Sequence, residues 1–139
     1  MTITKENAIN VTNILSGMTL NKISDKDVKN ALVWNYIVLR KIARETNADT
    51  QEVITKFQED WKEAIAPVRA FRDAKKPVVG YDDFLSAEKD ATSTIATIMQ
   101  AEVDANVKVV ALDKFVNAVS NEEISFEQVA FLQDCGIIN

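Results

Sequence analysis

The stretch Val28-Lys29-Asn30-Ala31-Leu32-Val33-Trp34-Asn35-Tyr36-Ile37-Val38-Leu39-Arg40-Lys41-Ile42-Ala43 decides the reading of the chain. Placed at 100° per residue on a helix, Val28, Ala31, Leu32, Tyr36, Val38, Leu39, Ile42 and Ala43 form one broad apolar face, while Val33, Trp34 and Ile37 form a second patch on the opposite side. Such a helix needs cover on both sides. Either other helices of the same chain supply it, or the second patch is a subunit interface anchored on Trp34, since aromatic anchors dominate such contacts. Burying Trp34 with two aliphatics contributes on the order of 4–7 kcal/mol at about 25 cal/mol per Å². Asn35 falls in the middle of the main face, where a buried amide must satisfy a helix end or pair with another polar group.

Upstream, Thr4 is placed to cap a first helix running to Ser16 that buries Ala8, Val11, Ile14, Leu15 and Met18, with Gly17 in the left-handed position that ends such helices. Ser24 is the expected N-cap of the central helix, with Asp25 and Asp27 favouring the dipole in its first turn, and that helix is expected to end at Arg44. Downstream, Asp49 followed by Glu52 has the form of a capping box starting a new helix with Val53, Ile54, Phe57, Trp61, Ile65 and Val68 on one stripe, kinked or restarted at Pro67. The run Lys75-Lys76-Pro77-Val78-Val79-Gly80 breaks the pattern. Asp82 or Asp83 then caps a long helix carrying Phe84, Ala87, Ala91, Ile95, Ile98 and Met99.

Val107-Lys108-Val109-Val110-Ala111-Leu112 is the good strand candidate, being short and β-branched. Asp113 and Ser125 are expected to cap two short helices, Ser125 with Gln128 as a capping box, and Gly136 to close the last. Pro77-Val78-Val79-Gly80-Tyr81-Asp82-Asp83-Phe84 echoes Lys108-Val109-Val110-Ala111-Leu112-Asp113-Lys114-Phe115 at an offset of 31, which suggests pairing of the two Val-Val segments. The predicted fold is mainly α: one helical domain over residues 1–139, a bundle of long antiparallel helices, with one short two-stranded ribbon between residues 77–80 and 107–111.

Composition restricts the chemistry. The 139 residues carry 16 Lys and Arg against 21 Asp and Glu, a net charge of -5, only 3 Gly and 2 Pro, and no histidine. Without His, the commonest general base and transition-metal ligand is missing, which argues against catalytic triads and zinc sites. The single Cys135, beside Ile137 and Ile138, reads as a packed residue. No basic segment followed by an apolar core opens the chain, and apolar runs are interrupted by charge, so a soluble intracellular protein with no membrane association is expected.

Carboxylates recur at Glu59/Asp60/Glu63, Asp82/Asp83, Glu102/Asp104 and Glu122/Glu123. Glu59 and Glu63 lie one turn apart and present oxygens suited to a hard cation, but no Ca²⁺-loop spacing accompanies them and solvated faces are the better reading. Arg69, Arg72, Lys75 and Lys76 form a basic stripe beside Phe71, and residues 1–46 carry net +3 against -8 for the rest. Cations near helix C-termini explain such a stripe, and no nucleic-acid motif, Gly-rich phosphate loop or nucleophile elbow is present. No catalytic residue, cofactor or metal ligand is assigned. The candidate interface comprises Val33, Trp34, Ile37, Phe57, Trp61 and Phe71.

Residues 7–32, Asn7-Ala8-Ile9-Asn10-Val11-Thr12-Asn13-Ile14-Leu15-Ser16-Gly17-Met18-Thr19-Leu20-Asn21-Lys22-Ile23 and on through Asp27 to Leu32, continue into a long helix reaching Trp61. Together they resemble a family of small uncharacterised phage and prophage helical proteins encoded among head and tail genes. The likeness covers the first 60 residues; Leu112-Asp113-Lys114-Phe115 and Ile124-Ser125-Phe126-Glu127-Gln128 resemble the C-terminal part of similar proteins. The resemblance carries no catalytic motif. It implies a non-enzymatic structural or assembly role through helix-mediated contacts with itself or other virion proteins, in the host cytoplasm or the virion. The alternative is a regulatory module that binds and modulates a host protein through an acidic surface.

Overall fold

The computed structural model describes residues 1–63, 81–120 and 123–139. Strand β1 (Thr2–Thr4) passes directly into α1 (Lys5–Ser16) because Thr4 is extended (φ -70°, ψ 150°) and its hydroxyl accepts the Asn7 N–H at 3.1 Å, as the sequence predicts. α1 buries Ala8, Val11, Thr12 and Leu15, with Ile14 and Met18 half-buried. Thr12 is tolerated there because its hydroxyl donates to the Ala8 carbonyl at 2.7 Å. Gly17 departs from the expected left-handed stop: its φ is -79°. The N–H groups of Gly17 and Met18 donate to the carbonyls of Ile14 and Leu15, so right-handed turning simply continues past the helix end.

A 3₁₀ turn (Leu20–Lys22) leads to α2 (Lys26–Asp60). Asp25, not Ser24, caps it: the Asp25 Oδ1 accepts the N–H groups of Asp27 and Val28 at 2.8 and 3.0 Å. Ser24 is spent elsewhere, its N–H and hydroxyl both donating to the Ala118 carbonyl.

The expected break between Arg44 and Asp49 does not occur. No Gly or Pro lies within residues 26–60, and the inward positions Val28, Leu32, Asn35, Leu39, Ala43 and Thr46 follow one another at spacings of three and four without a change of phase. Half-buried Thr50, Val53, Phe57 and Trp61 extend the same stripe, so Asp49 and Glu52 lie mid-helix on the exposed side.

The two-stranded ribbon exists but in another place. β1 pairs antiparallel with β2 (Glu102–Asp104) in the register Thr2–Asp104, Ile3–Val103 and Thr4–Glu102. Residues 107–111 form no strand. Val110 alone makes a parallel bridge to Ile138, its N–H donating to Ile137 O and its carbonyl accepting from Asn139 N, because the neighbouring Lys108 backbone is already occupied by the Asn35 amide. Residues 77–80, and with them the first half of the Val-Val echo, lie outside the described residues, as do Ile65, Pro67 and Val68.

α3 (Tyr81–Gln100) carries Asp82 and Asp83 in its first turn; it buries Phe84 and half-buries Ala87, Ala91, Ile95, Ile98 and Met99. α4 (Leu112–Ala118) is entered through Ala111 rather than capped by Asp113, and its first N–H is satisfied by the Asn139 carbonyl at 2.9 Å. α5 (Phe126–Asp134) has the predicted capping box of Ser125 and Gln128, and Gly136 beyond it adopts φ +78°.

The fold is thus mainly α, with long helices and one small antiparallel sheet. The described chain divides into two compact units. The first, Met1–Glu45 with Gln100–Asn139, has a core of Ala8, Val11, Leu32, Leu39, Phe115, Leu132, Ile137 and Ile138 among others. The second, Thr46–Met99, packs the Phe84 ring at the start of α3 against Phe57 and Trp61 at the end of α2, with ring centroids 5.4 and 5.7 Å apart. Among the described residues no helix is long and apolar enough to cross a membrane.

Candidate functional site

Asn35 is fully buried, and its amide pairs with the Lys108 backbone through two hydrogen bonds. Nδ2 donates to the Lys108 carbonyl at 2.8 Å and Oδ1 accepts the Lys108 N–H at 2.6 Å, so an otherwise irregular segment is held against α2 with both polar groups satisfied. One residue earlier, the Trp34 indole N–H donates to the Asn106 carbonyl at 2.7 Å, and the Lys108 ammonium lies 4.7 Å from the ring centroid. Residues 106–108 therefore cover part of the second patch. Trp34 is still 39% exposed and Ile37 62%, while Val33 is half-buried and lines a cleft of about 230 Å³ with Met18, Leu20 and Tyr36.

The other half of the predicted interface has a different fate. Phe57 and Trp61 find an intrachain partner in Phe84. Phe71 and the basic stripe Arg69, Arg72, Lys75 and Lys76 lie outside the described residues.

A more exposed apolar surface lies between α4 and α5. α4 turns Phe115 and Ala118 into the core, which leaves Leu112 and Val116, one turn apart, facing outward. α5 does the same with Leu132 inward and Phe126 outward, and Phe126 is 96% exposed against 50% for Val116. Leu112, Val116 and Phe126, together with Val119, Ile124 and Val129, line a groove of about 650 Å³ whose polar members among the described residues are Ser120, Ser125 and Gln133. The sequence signal for it was available in principle: a phenylalanine at the first position of a helix, directly after its cap, has no preceding turn to pack against.

Among the described residues, Glu123 and Cys135 have their titration shifted by structural surroundings. The Glu123 carboxylate accepts the Thr19 N–H at 2.9 Å and pairs with Lys22 at 3.5 Å, and the Thr19 bond above all holds its carboxyl below the usual glutamate range. Burial, then the charge of Asp134, pushes the Cys135 thiol up, which disfavours the nucleophilic thiolate. Glu59 and Glu63 are exposed, and among the described residues no three of His, Cys, Asp or Glu are grouped as metal ligands. No family model, curated protein or solved structure matches the chain.

Proposed function

We propose that the protein is a non-enzymatic structural or assembly protein of phage origin that acts through helix-mediated protein contacts. The observation that carries this reading is the α4–α5 groove, where Phe126 at 96% exposure crowns a continuous apolar surface with Leu112 and Val116. Leaving such a phenylalanine in water forgoes roughly 1.5–3 kcal/mol that its burial would release, and a partner surface recovers it. The half-covered Trp34 and the exposed Ile37 provide a second contact surface of the same character. The likeness of residues 1–60 to small phage proteins supplies the setting, and a chain without histidine lacks the usual general base.

Deletion of the gene from the genome that carries it tests the reading. Loss of particle formation that is restored by the parent chain, but not by a Val116→Ser/Phe126→Ser double variant, is the expected result. Normal particle yield after deletion would overturn the assembly role.

A further inference from the structure

We propose that the α4–α5 groove receives an amphipathic helix from another protein, with lysine or arginine flanking its apolar edge. The inference rests on the protein-contact reading above and adds the chemistry of the partner. Three features of the groove select it.

The first is length: with seven and nine residues, α4 and α5 offer walls of about 10–13 Å at 1.5 Å per residue, matching two turns of a bound helix and anchors at i, i+3 or i+4, and i+7. The second is backbone. The walls are helices, with the Leu112 N–H and the Ala118 carbonyl at the ends of α4 bonded to Asn139 and Ser24, so they present no strand edge, and an occupant must satisfy its own backbone, as a helix does.

The third is charge. Asp113 lies 60° around α4 from Val116 and Asp134 lies 40° around α5 from Ala130, both exposed beside residues that line the groove, whereas Glu127 lies toward Asn10 and Ile14 of α1 and Lys114 lies on the far side of α4. Among the described residues the groove lining itself carries no charged side chain of either sign. Asp134 also sits in the last turn of α5, where a carboxylate opposes the helix dipole; folding gains nothing from it, and a cationic partner neutralises it. A second copy of the chain is disfavoured by the same groups, because a two-fold contact would set these acids against each other.

The test uses the full chain and two fluorescent 14-residue synthetic helices that share leucines at positions 1, 4, 5, 8, 11 and 12 and carry either lysine or glutamate elsewhere. Anisotropy titration should show the lysine peptide binding at least tenfold more tightly than the glutamate peptide, with an advantage that falls as salt rises. Val116→Ser/Phe126→Ser should weaken the lysine peptide at least tenfold. Both side chains are largely outside the core, so circular dichroism should be unchanged. Asp113→Lys/Asp134→Lys should invert the preference, and amide shifts on binding should map to residues 112–134. Equal binding of both peptides, an unaffected Phe126→Ser chain, or a Phe126-dependent dimer that excludes the peptide would overturn the proposal. Particle yield and peptide affinity are separate readouts, so the assembly role and the groove's specificity can fail independently.

Discussion

Replacing Asn35 by aspartate keeps shape and volume and changes one group, which isolates the contribution of its two bonds to Lys108. The carboxylate still accepts the Lys108 N–H, but the atom that donated to the Lys108 carbonyl at 2.8 Å becomes an oxygen facing an oxygen. One hydrogen bond worth about 1 kcal/mol is lost and a carbonyl is left unsatisfied at about 1–3 kcal/mol, so about 3 kcal/mol is expected at pH 7 before the cost of burying charge. Protonation restores a donor. Burial and the facing carbonyl raise the introduced carboxyl's pKa above its unfolded value of about 3.9, so the variant is closest to the parent below that pH and loses stability as pH rises toward the folded pKa. Urea unfolding followed by Trp34 fluorescence in a Trp61→Phe background reads this directly, since Trp34 is bonded to Asn106 beside the site. With a urea m-value of about 1–3 kcal/mol/M, the midpoint should fall by about 1 M or more at pH 7. An unmoved midpoint at pH 7, or a gap from the parent that does not narrow at pH 4, would refute the account of Asn35 as the clamp on residues 106–108.

Gly136→Ala should cost about 1–2 kcal/mol through its φ of +78°, with Gly136→Asn costing less; the nearby Met1 Sδ, 3.0 Å from the added Cβ, is the end of a flexible side chain and can yield. Ser125→Ala should cost about 1 kcal/mol in chemical denaturation by removing the α5 capping box. Glu123 should titrate below the ordinary value of about 4.3 in a carboxyl-detected NMR titration; because its folded pKa is lowered, its stabilisation is complete above that value and is lost as pH falls through the folded one. Glu123→Gln should remove this pH dependence, and an identical acid-unfolding profile in the two chains would contradict it.

What was legible in the sequence was local. Thr4 and the Ser125–Gln128 pair cap helices through bonds to residues three positions away, and both helices begin where those residues predict. Asn35 was readable as a buried amide because periodicity sets depth, but its partner lies 73 residues away and no pattern along the chain announces it. The continuity of α2 is hidden by Thr46 and Thr50, polar residues on the inward stripe that interrupt the apolar count without interrupting the phase, and by Asp49 and Glu52, whose spacing has the form of a capping box. The strand β1 is three residues long and pairs with β2 about 100 residues away, which is too short and too distant for alternation to reveal. The α4–α5 groove is not announced by the pattern along either helix, because which faces two short helices leave bare is set by how they pack.

The first unit is written in two pieces, Met1–Glu45 and Gln100–Asn139, separated by the whole of the second. A ribosome making this chain releases Ala8, Val11, Leu15 and Leu32 long before Phe115, Leu132, Ile137 and Ile138 exist to receive them. Thr46–Met99, contiguous in sequence, can collapse on its own contacts, whereas the first unit must wait until residues 100–139 are made and then close its core across that excursion. Until then the apolar side of α1 and the first half of α2 is an open surface in a crowded cell, so arrest of translation near residue 110 should leave a species that chaperones bind and proteases cut.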